Sequence, residues 1–421
     1  MYYWVYAQHL DLSYLDHPPL VAWLMGASTA LMGDHTFAVR AWLLPIVLLG
    51  AIFFYRYGET MGGRTVGLLS MLALVSLPFF FLSGLVLTPD APMIVAWAAS
   101  LFYLKRLLVD QHSRAFIGLG LAMGLGLLAK YSIALLALGG LVFMALDTQA
   151  RRWLFKPPLY RAIAIATLIF SPVLWWNSQN GWASFGFQFT RRLAENPDFT
   201  SHLVVVYALL LLSPVFATAA FYLFFQRLKR RSEMDRKTLF MLVMTLVPLS
   251  VFFIYGLFSV TKFHWTLPAW IALIPLVMQF LMAPYLPNAP KLSAVQHVLA
   301  RSWAPSLLVL VISYGLLLHY ITLGLPGVTR SDWNTAYLSW PELTRETEEL
   351  AQSIEAETGI YPIVAATDKW GVSAALSYYG GKDLSGNVTA QNILGMSGSM
   401  WEFWFGDEQP TTRPILLVHH K

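Results

Sequence analysis

The chain has 421 residues, 57% of them hydrophobic and only 12% charged, with a net charge of +5 and no cysteine. Soluble domains carry roughly a quarter charged residues, so the composition excludes an ordinary soluble enzyme, and the lack of cysteine excludes disulfide frameworks and thiolate metal sites. The surplus Lys and Arg lie in short loops, without a basic groove of interleaved aromatics, which fits contact with anionic membrane lipids and no nucleic-acid partner.

Along the chain, residues 1 to 36 come first and mix Tyr2, Tyr3, Trp4, Tyr6 and Trp23 with Asp11, Asp16 and His17, a composition suited to a segment lying in a membrane interface. About ten apolar runs follow, each near the length a helix needs to cross about 30 Å of hydrocarbon. They cover residues 37 to 55, 66 to 87, 92 to 108, 115 to 129, 131 to 147, 161 to 177, 203 to 225, 238 to 259, 266 to 284 and 303 to 323. Alternate loops between them hold 17 of the 28 Lys and Arg, among them Arg56, Lys105, Arg151 and the run from Arg227 to Lys237. By the positive-inside bias these loops are cytoplasmic, and residues 1 to 36 and the tail lie on the opposite face. The expected domains are therefore 1 to 36, an interfacial segment, 37 to 324, the membrane domain, and 325 to 421, a small soluble unit.

In that tail, Pro341-Glu342-Leu343 opens an acidic helix with Leu343, Leu350 and Ile354 on one side. Ile360 to Ala366 and Pro414 to Val418 read as buried strands, with a helix over Val372 to Tyr379 between them, so a small α/β unit is expected. Asn387-Val388-Thr389 matches a glycosylation sequon by chance, since nothing indicates a eukaryotic secretory route.

Ionisable groups at a membrane boundary are costly enough that a small set gathered on one face is a functional candidate. Here the set is Asp11, Asp16, His17, Asp90, Lys130, Arg191, Arg192, Lys262 and His264. Asp16-His17-Pro18-Pro19 places an acid and an imidazole before two prolines that hold the backbone extended; the bland alternative is a solvated helix-start turn. Asp90, in Thr88-Pro89-Asp90-Ala91-Pro92, either caps the next helix or presents a carboxylate to a cavity. Lys130-Tyr131 interrupts an apolar hairpin, as a snorkelling lysine or as an anion ligand. Arg191 and Arg192 break the charge rule on a loop carrying Trp182, Phe185, Phe187 and Phe189; their forked donors suit a phosphate and the rings a prenyl chain or sugar. Lys262-Phe263-His264-Trp265 offers a cation, an imidazole and an indole together, for phosphate contact or metal ligation. Taken alone, these residues describe an all-α polytopic membrane protein with a pocket for an anionic, lipid-linked ligand, and leave enzyme and transporter both open.

The segments Tyr2-Tyr3-Trp4, Asp16 to Trp23, Thr88 to Pro92, Ala129-Lys130-Tyr131, Trp176-Asn177 and Lys262 to Trp265 occur in one order. In that order they resemble bacterial membrane glycosyltransferases related to the dolichyl-phosphate-mannose protein mannosyltransferases and to the aminoarabinose lipid A transferase. The resemblance implies the C-type glycosyltransferase fold and a polyprenyl-phosphate sugar donor. It also implies inverting transfer to a lipid A, cell-surface glycan or protein acceptor at the periplasmic face of a bacterial inner membrane. Positive charge builds at the anomeric carbon as the phosphate leaves, so such a site needs a base and cations. The candidate catalytic residues are Asp16 and His17, which match the acid and base preceding proline in the family's first outer loop, where they would position donor or metal, and Asp90, which matches the acidic position of a later outer turn. Lys130, Arg191, Arg192 and Lys262 fit the phosphate-binding role, and Tyr131, Asn177 and His264 the substrate or metal pocket. A divalent metal is left open. Family members carry a first spanning helix and an acidic pair just before the Tyr-Tyr-Trp segment, one of those acids being the expected catalytic base, so such a segment is expected upstream of Met1; without it, Asp16 or Asp90 would have to serve as base. The alternative classes are a transporter or flippase of a lipid-linked anion and a catalytically inactive accessory protein.

Overall fold

The computed structural model describes residues 1 to 188, 200 to 230, 234 to 285, 293 to 323, 340 to 405 and 413 to 419. In chain order the helices are α1 (Tyr2–Gln8), α2 (Leu20–Met32), α3 (Leu43–Ser76), α4 (Asp90–Leu108), α5 (Ala115–Ala129), α6 (Ala134–Leu146), α7 (Pro157–Gln179), α8 (Ser201–Leu211), α9 (Pro214–Lys229), α10 (Arg236–Tyr255), α11 (Phe263–Thr266), α12 (Ile274–Met282) and α13 (Ala294–Leu323). After them come α14 (Trp340–Thr358), β1 (Ile363–Ala366), α15 (Gly371–Tyr379), β2 (Val388–Thr389), α16 (Trp401–Phe405) and β3 (Ile415–Val418). The chain divides into two compact units. The larger takes residues 17 to 21 and 40 to 315; the smaller takes residues 1 to 16, 22 to 39 and 316 to 421.

Each of the ten apolar runs falls mainly on helix, most of them within the larger unit. Among the described residues, six helices are long and apolar enough to cross a bilayer, and a bent pair covers Tyr131–Leu146 and Thr148–Phe155. The long α3 accounts for two of the ten runs. Gly63 takes φ +83°, a conformation open to glycine, beside a non-helical Gly62. A side chain at Gly67 would strike the carbonyl of Tyr55, and one at Gly58 would strike Ser70. A straight helix would hold each of these pairs about 18 Å apart, so the chain doubles back between Arg56 and Arg64. The run from 203 to 225 is likewise broken, at Leu212 and Ser213, with Pro214 opening α9. α5 packs against both α4 and α7, and Gly120 and Gly124 let it approach α7 until a Cβ would meet Ala162, Ile165 or Ile169.

The face carrying the basic loops is tied together by ion pairs. Arg236, opening α10, makes a two-pronged contact with Asp147 at 2.7 and 2.9 Å and donates to the carbonyls of Leu108 and Val109 at the end of α4. Lys105 reaches Asp110 and the carbonyl of Thr60.

In the smaller unit, three parallel strands are ordered β2-β1-β3, with Val364 opposite both Val388 and Leu416. Val364, Ala366, Val372, Leu376, Leu384 and Val418 form its core together with Ala351 of α14. The helix α14 keeps part of its expected face: Leu343 packs against this core and Ile354 is half-buried, while Leu350 is 56% exposed. Thr344, Thr347 and Ala351 are the fully buried residues, with Thr344 and Thr347 donating their hydroxyls to backbone carbonyls one turn back. Small residues let α14 lie close, so a stripe chosen by hydropathy alone finds only part of the buried side. The sequon lies at β2: Val388 and Thr389 are strand residues, and Asn387 is held by Arg413 and by the carbonyl of Asp383.

Candidate active site

Candidates occur in both units. In the larger one they centre on Lys130. The helix α5 ends at Ala129, and Lys130 turns extended (φ −160°, ψ 130°) while its N–H still closes the last turn onto Gly126. This one-residue break aims the side chain at Asp90, and Nζ lies 2.7 Å from Oδ1 with the two side chains only 10% and 13% exposed. Asp90 heads α4, but no side chain caps that helix; its carboxylate is instead paired with Lys130. Asp90, Lys130, Lys262 and His17 all act electrostatically on His264 in α11, so five of the sequence candidates share one neighbourhood. Thr200 secures the loop before Lys262: its N–H binds Gly256 O, its hydroxyl binds Ser259 O, and it accepts the N–H of Thr261. An apolar cavity of about 200 Å³ lined by Ile46, Leu74, Phe80, Leu85, Ala91 and Ile94 borders the start of α4.

Asn177 is fully buried on α7 and uses its groups to shape the chain that follows. Its Oδ1 accepts the N–H groups of Ser184 and Phe185, its own carbonyl accepts that of Trp182, and Nδ2 donates to Val173 O. Trp182 sits in the left-handed region at φ +60°, a cost these bonds offset. The hydroxyls of Tyr131 and Ser184 are 2.8 Å apart, and the Tyr131 ring packs edgewise on Phe170. Ser184, which sequence reasoning passed over, thus links Asn177 to Tyr131. Arg191 and Arg192 lie outside the described residues.

In the smaller unit the candidate is Asp16. Tyr2 and Tyr6, one helical turn apart on α1, donate their hydroxyls to its two carboxylate oxygens at 2.9 and 2.5 Å. Burial, and then the Asp16 charge, hold both phenols well above their ordinary pKa, so they remain donors across the physiological range. Asp11 is exposed and accepts the neighbouring N–H of Leu12. Among the described residues no group of three or more His, Asp or Glu gathers as a metal site would.

A family model described as dolichyl-phosphate-mannose-protein mannosyltransferase matches residues 16–176. The chain is 24% identical to the lipid A galacturonosyltransferase RgtD of Rhizobium johnstonii, over 99% of this chain and 84% of that protein. It is 28% identical, over 31% of its length and 25% of the other's, to an undecaprenyl phosphate-α-4-amino-4-deoxy-L-arabinose arabinosyl transferase of Proteus mirabilis. The solved structure of ArnT from Cupriavidus metallidurans bound to undecaprenyl phosphate superposes with a TM-score of 0.57 at 17% identity, over 90% of this chain and 68% of that one. The chain shares the C-type glycosyltransferase fold of that structure. The archaeal oligosaccharyltransferase AglB from Archaeoglobus fulgidus shares the fold at a TM-score of 0.51 and 11% identity, over 90% of this chain and 59% of that one. The chain thus has the expected architecture of many spanning helices with a small three-stranded sheet in its tail.

Proposed function

We propose that the transferase moves a sugar from a polyprenyl-phosphate donor to a lipid A or surface-glycan acceptor at the periplasmic face of a bacterial inner membrane, with inversion. The observation that carries this reading is the buried Lys130–Asp90 pair, set in a chain that matches a lipid A galacturonosyltransferase almost end to end. The apolar cavity at the start of α4 offers a seat for lipid chain.

In the proposed step the donor phosphate takes Lys130 as its cation, with Lys262, Arg191 and Arg192 as further phosphate ligands and His17 and His264 as polar neighbours. Asp90, released from Lys130, accepts the proton of the acceptor hydroxyl. The oxygen left behind forms the new bond to the anomeric carbon from the face opposite the phosphate. The bond from that carbon to the phosphate oxygen breaks, its electron pair stays on the phosphate, and Lys130 holds the charge that develops. Tyr131 and Asn177 shape the wall of the pocket.

The test is transfer by full-length protein in detergent, supplied with labelled polyprenyl-phosphate galacturonate or 4-amino-4-deoxyarabinose and with lipid A. Labelled lipid A from the wild type, lost in Lys130→Gln and Asp90→Asn, is the expected result. Full transfer by both variants would remove the pair from the mechanism. Movement of unaltered donor across proteoliposomes, without product, would replace the enzyme with a flippase.

A further inference from the structure

The smaller unit joins two stretches of chain more than three hundred residues apart, and they meet at Asp16. The helix α1 has seven residues. Isolated helices below roughly 12 residues are marginal in water, so α1 depends on what it packs against. Its partners are aromatic rings of the tail. Tyr2 lies 4.8 Å from Trp370 and 6.3 Å from Trp401 between ring centroids, the latter stacked; Tyr6 meets Trp404 edge to face at 5.6 Å; Trp4 meets Tyr378 at 5.1 Å. Beyond α1, the N–H of Leu15, the residue before Asp16, points at the sulfur of Met400 at 3.1 Å.

These rings are themselves held in place. Trp370 precedes α15, in a turn leaving the end of the central strand β1, and the carboxylate of Asp368 fixes that turn by accepting the N–H groups of Gly371 and Val372. A continuous set of packed groups therefore runs from the tail's sheet through Trp370 to the Tyr2 ring, and from the Tyr2 hydroxyl to the Asp16 carboxylate. A carboxylate has about four lone-pair directions; the two phenols occupy one on each oxygen, which sets the plane of the group.

We propose that the C-terminal α/β unit is a positioning element of the transferase, seating Tyr2 and Tyr6 so that their hydroxyls hold Asp16 in one orientation. Tyr2, Tyr6 and Trp370 are positioning residues, acting through Asp16. The kinetic part of this inference rests on the glycosyl-transfer reading; the structural part does not.

The test uses the full-length protein and two independent readouts, hydrogen exchange of residues 9 to 16 and the separate kcat and KM for a labelled polyprenyl-phosphate sugar. Trp370→Ala removes the ring under Tyr2, so exchange should rise and kcat should fall roughly ten- to a hundredfold, with KM for the donor little changed. Trp370→Phe, which keeps an aromatic surface, should restore both. Tyr2→Phe keeps the ring contacts and loses only the hydroxyl, so it should lower kcat while leaving exchange near the wild-type level. Unchanged exchange in Trp370→Ala would overturn the proposal whether or not the protein is active. Unchanged kcat in the Tyr2→Phe, Tyr6→Phe double variant of an active enzyme would overturn it as well. A wild type that transfers no label would sink the transferase reading alone, because the exchange measurement still decides what the tail does.

Discussion

Replacing Lys130 by Met removes one charge from a pair whose atoms are 2.7 Å apart and whose side chains are nearly closed to solvent. At that separation, with an effective dielectric constant of about 20, the attraction is about 6 kcal/mol. Desolvation offsets much of it, and removing a single partner of such a pair typically costs about 3 to 5 kcal/mol because the other charge is left buried and unpaired. Lys130→Met should therefore lower the thermal unfolding midpoint markedly, as read by tryptophan fluorescence in detergent micelles. The double variant Lys130→Met, Asp90→Leu leaves no stranded charge and should regain most of that stability. Transfer separates a structural role from a catalytic one. If the pair is catalytic, the double variant is stable and inactive; if it merely joins α4 to α5, the double variant is stable and active. Activity within about threefold of wild type in the stable double variant would refute the assignment of Lys130 and Asp90 to the reaction.

Asp90→Asn should bind polyprenyl phosphate at least as tightly as the wild type, since Lys130 no longer has a carboxylate competing for it, yet transfer at least about a hundredfold more slowly for want of a proton acceptor; equilibrium binding of labelled lipid and single-turnover transfer together check this. Arg236→Lys should destabilise the protein almost as much as Arg236→Ala, by about 3 kcal/mol, because a point charge cannot reproduce the fork that engages Asp147 and two carbonyls at once; unfolding midpoints of the two variants decide it. Asn177→Ala leaves the N–H groups of Ser184 and Phe185 without their acceptor, at about 1 to 3 kcal/mol, and should raise proteolysis within residues 181 to 188 before it affects the rest of the chain.

The membrane architecture was legible because hydropathy and loop charge act over whole segments, and neither depends on which residues meet. Even the turn at Gly62 and Gly63 was implied, since Arg56 and Arg64 bracket it. Pairings across segments were harder. Asp90 and Lys130 are forty residues apart, and their contact follows only once α4 and α5 are taken as antiparallel neighbours. The signal was present: Asp90 lies about 27 Å above the end of α4 and Lys130 about 22 Å above the start of α5 at 1.5 Å per residue, so the two charges had to share a level. Tyr2 and Tyr6 were also readable as neighbours at i and i+4, but rings suited to lipid headgroups are equally suited to packing on Trp370 and Trp404, and composition does not separate the two. In the tail, β2 has two residues, too short for any periodicity, and the buried threonines of α14 were hidden because their hydroxyls satisfy themselves on the helix backbone.

Two of the candidate acids, Asp16 and Asp90, are held in opposite ways, and on the proposed reading the difference separates their roles. Asp16 is gripped by two neutral donors that stay protonated. Such a grip fixes the orientation of the carboxylate, which suits a residue that orients others. Asp90 is held by a cation that an incoming phosphate also attracts. In the ground state the donor is a singly charged phosphodiester; as its bond to the sugar breaks, the phosphate gains negative charge, and its claim on Lys130 grows. On the proposed reading, each increment of charge on the leaving phosphate draws Lys130 away from Asp90 at the moment the acceptor hydroxyl must lose its proton. Leaving-group stabilisation and proton removal would then be coupled through one lysine. The interaction strengthens toward the transition state rather than in the ground state, which is the condition for binding energy to accelerate the step.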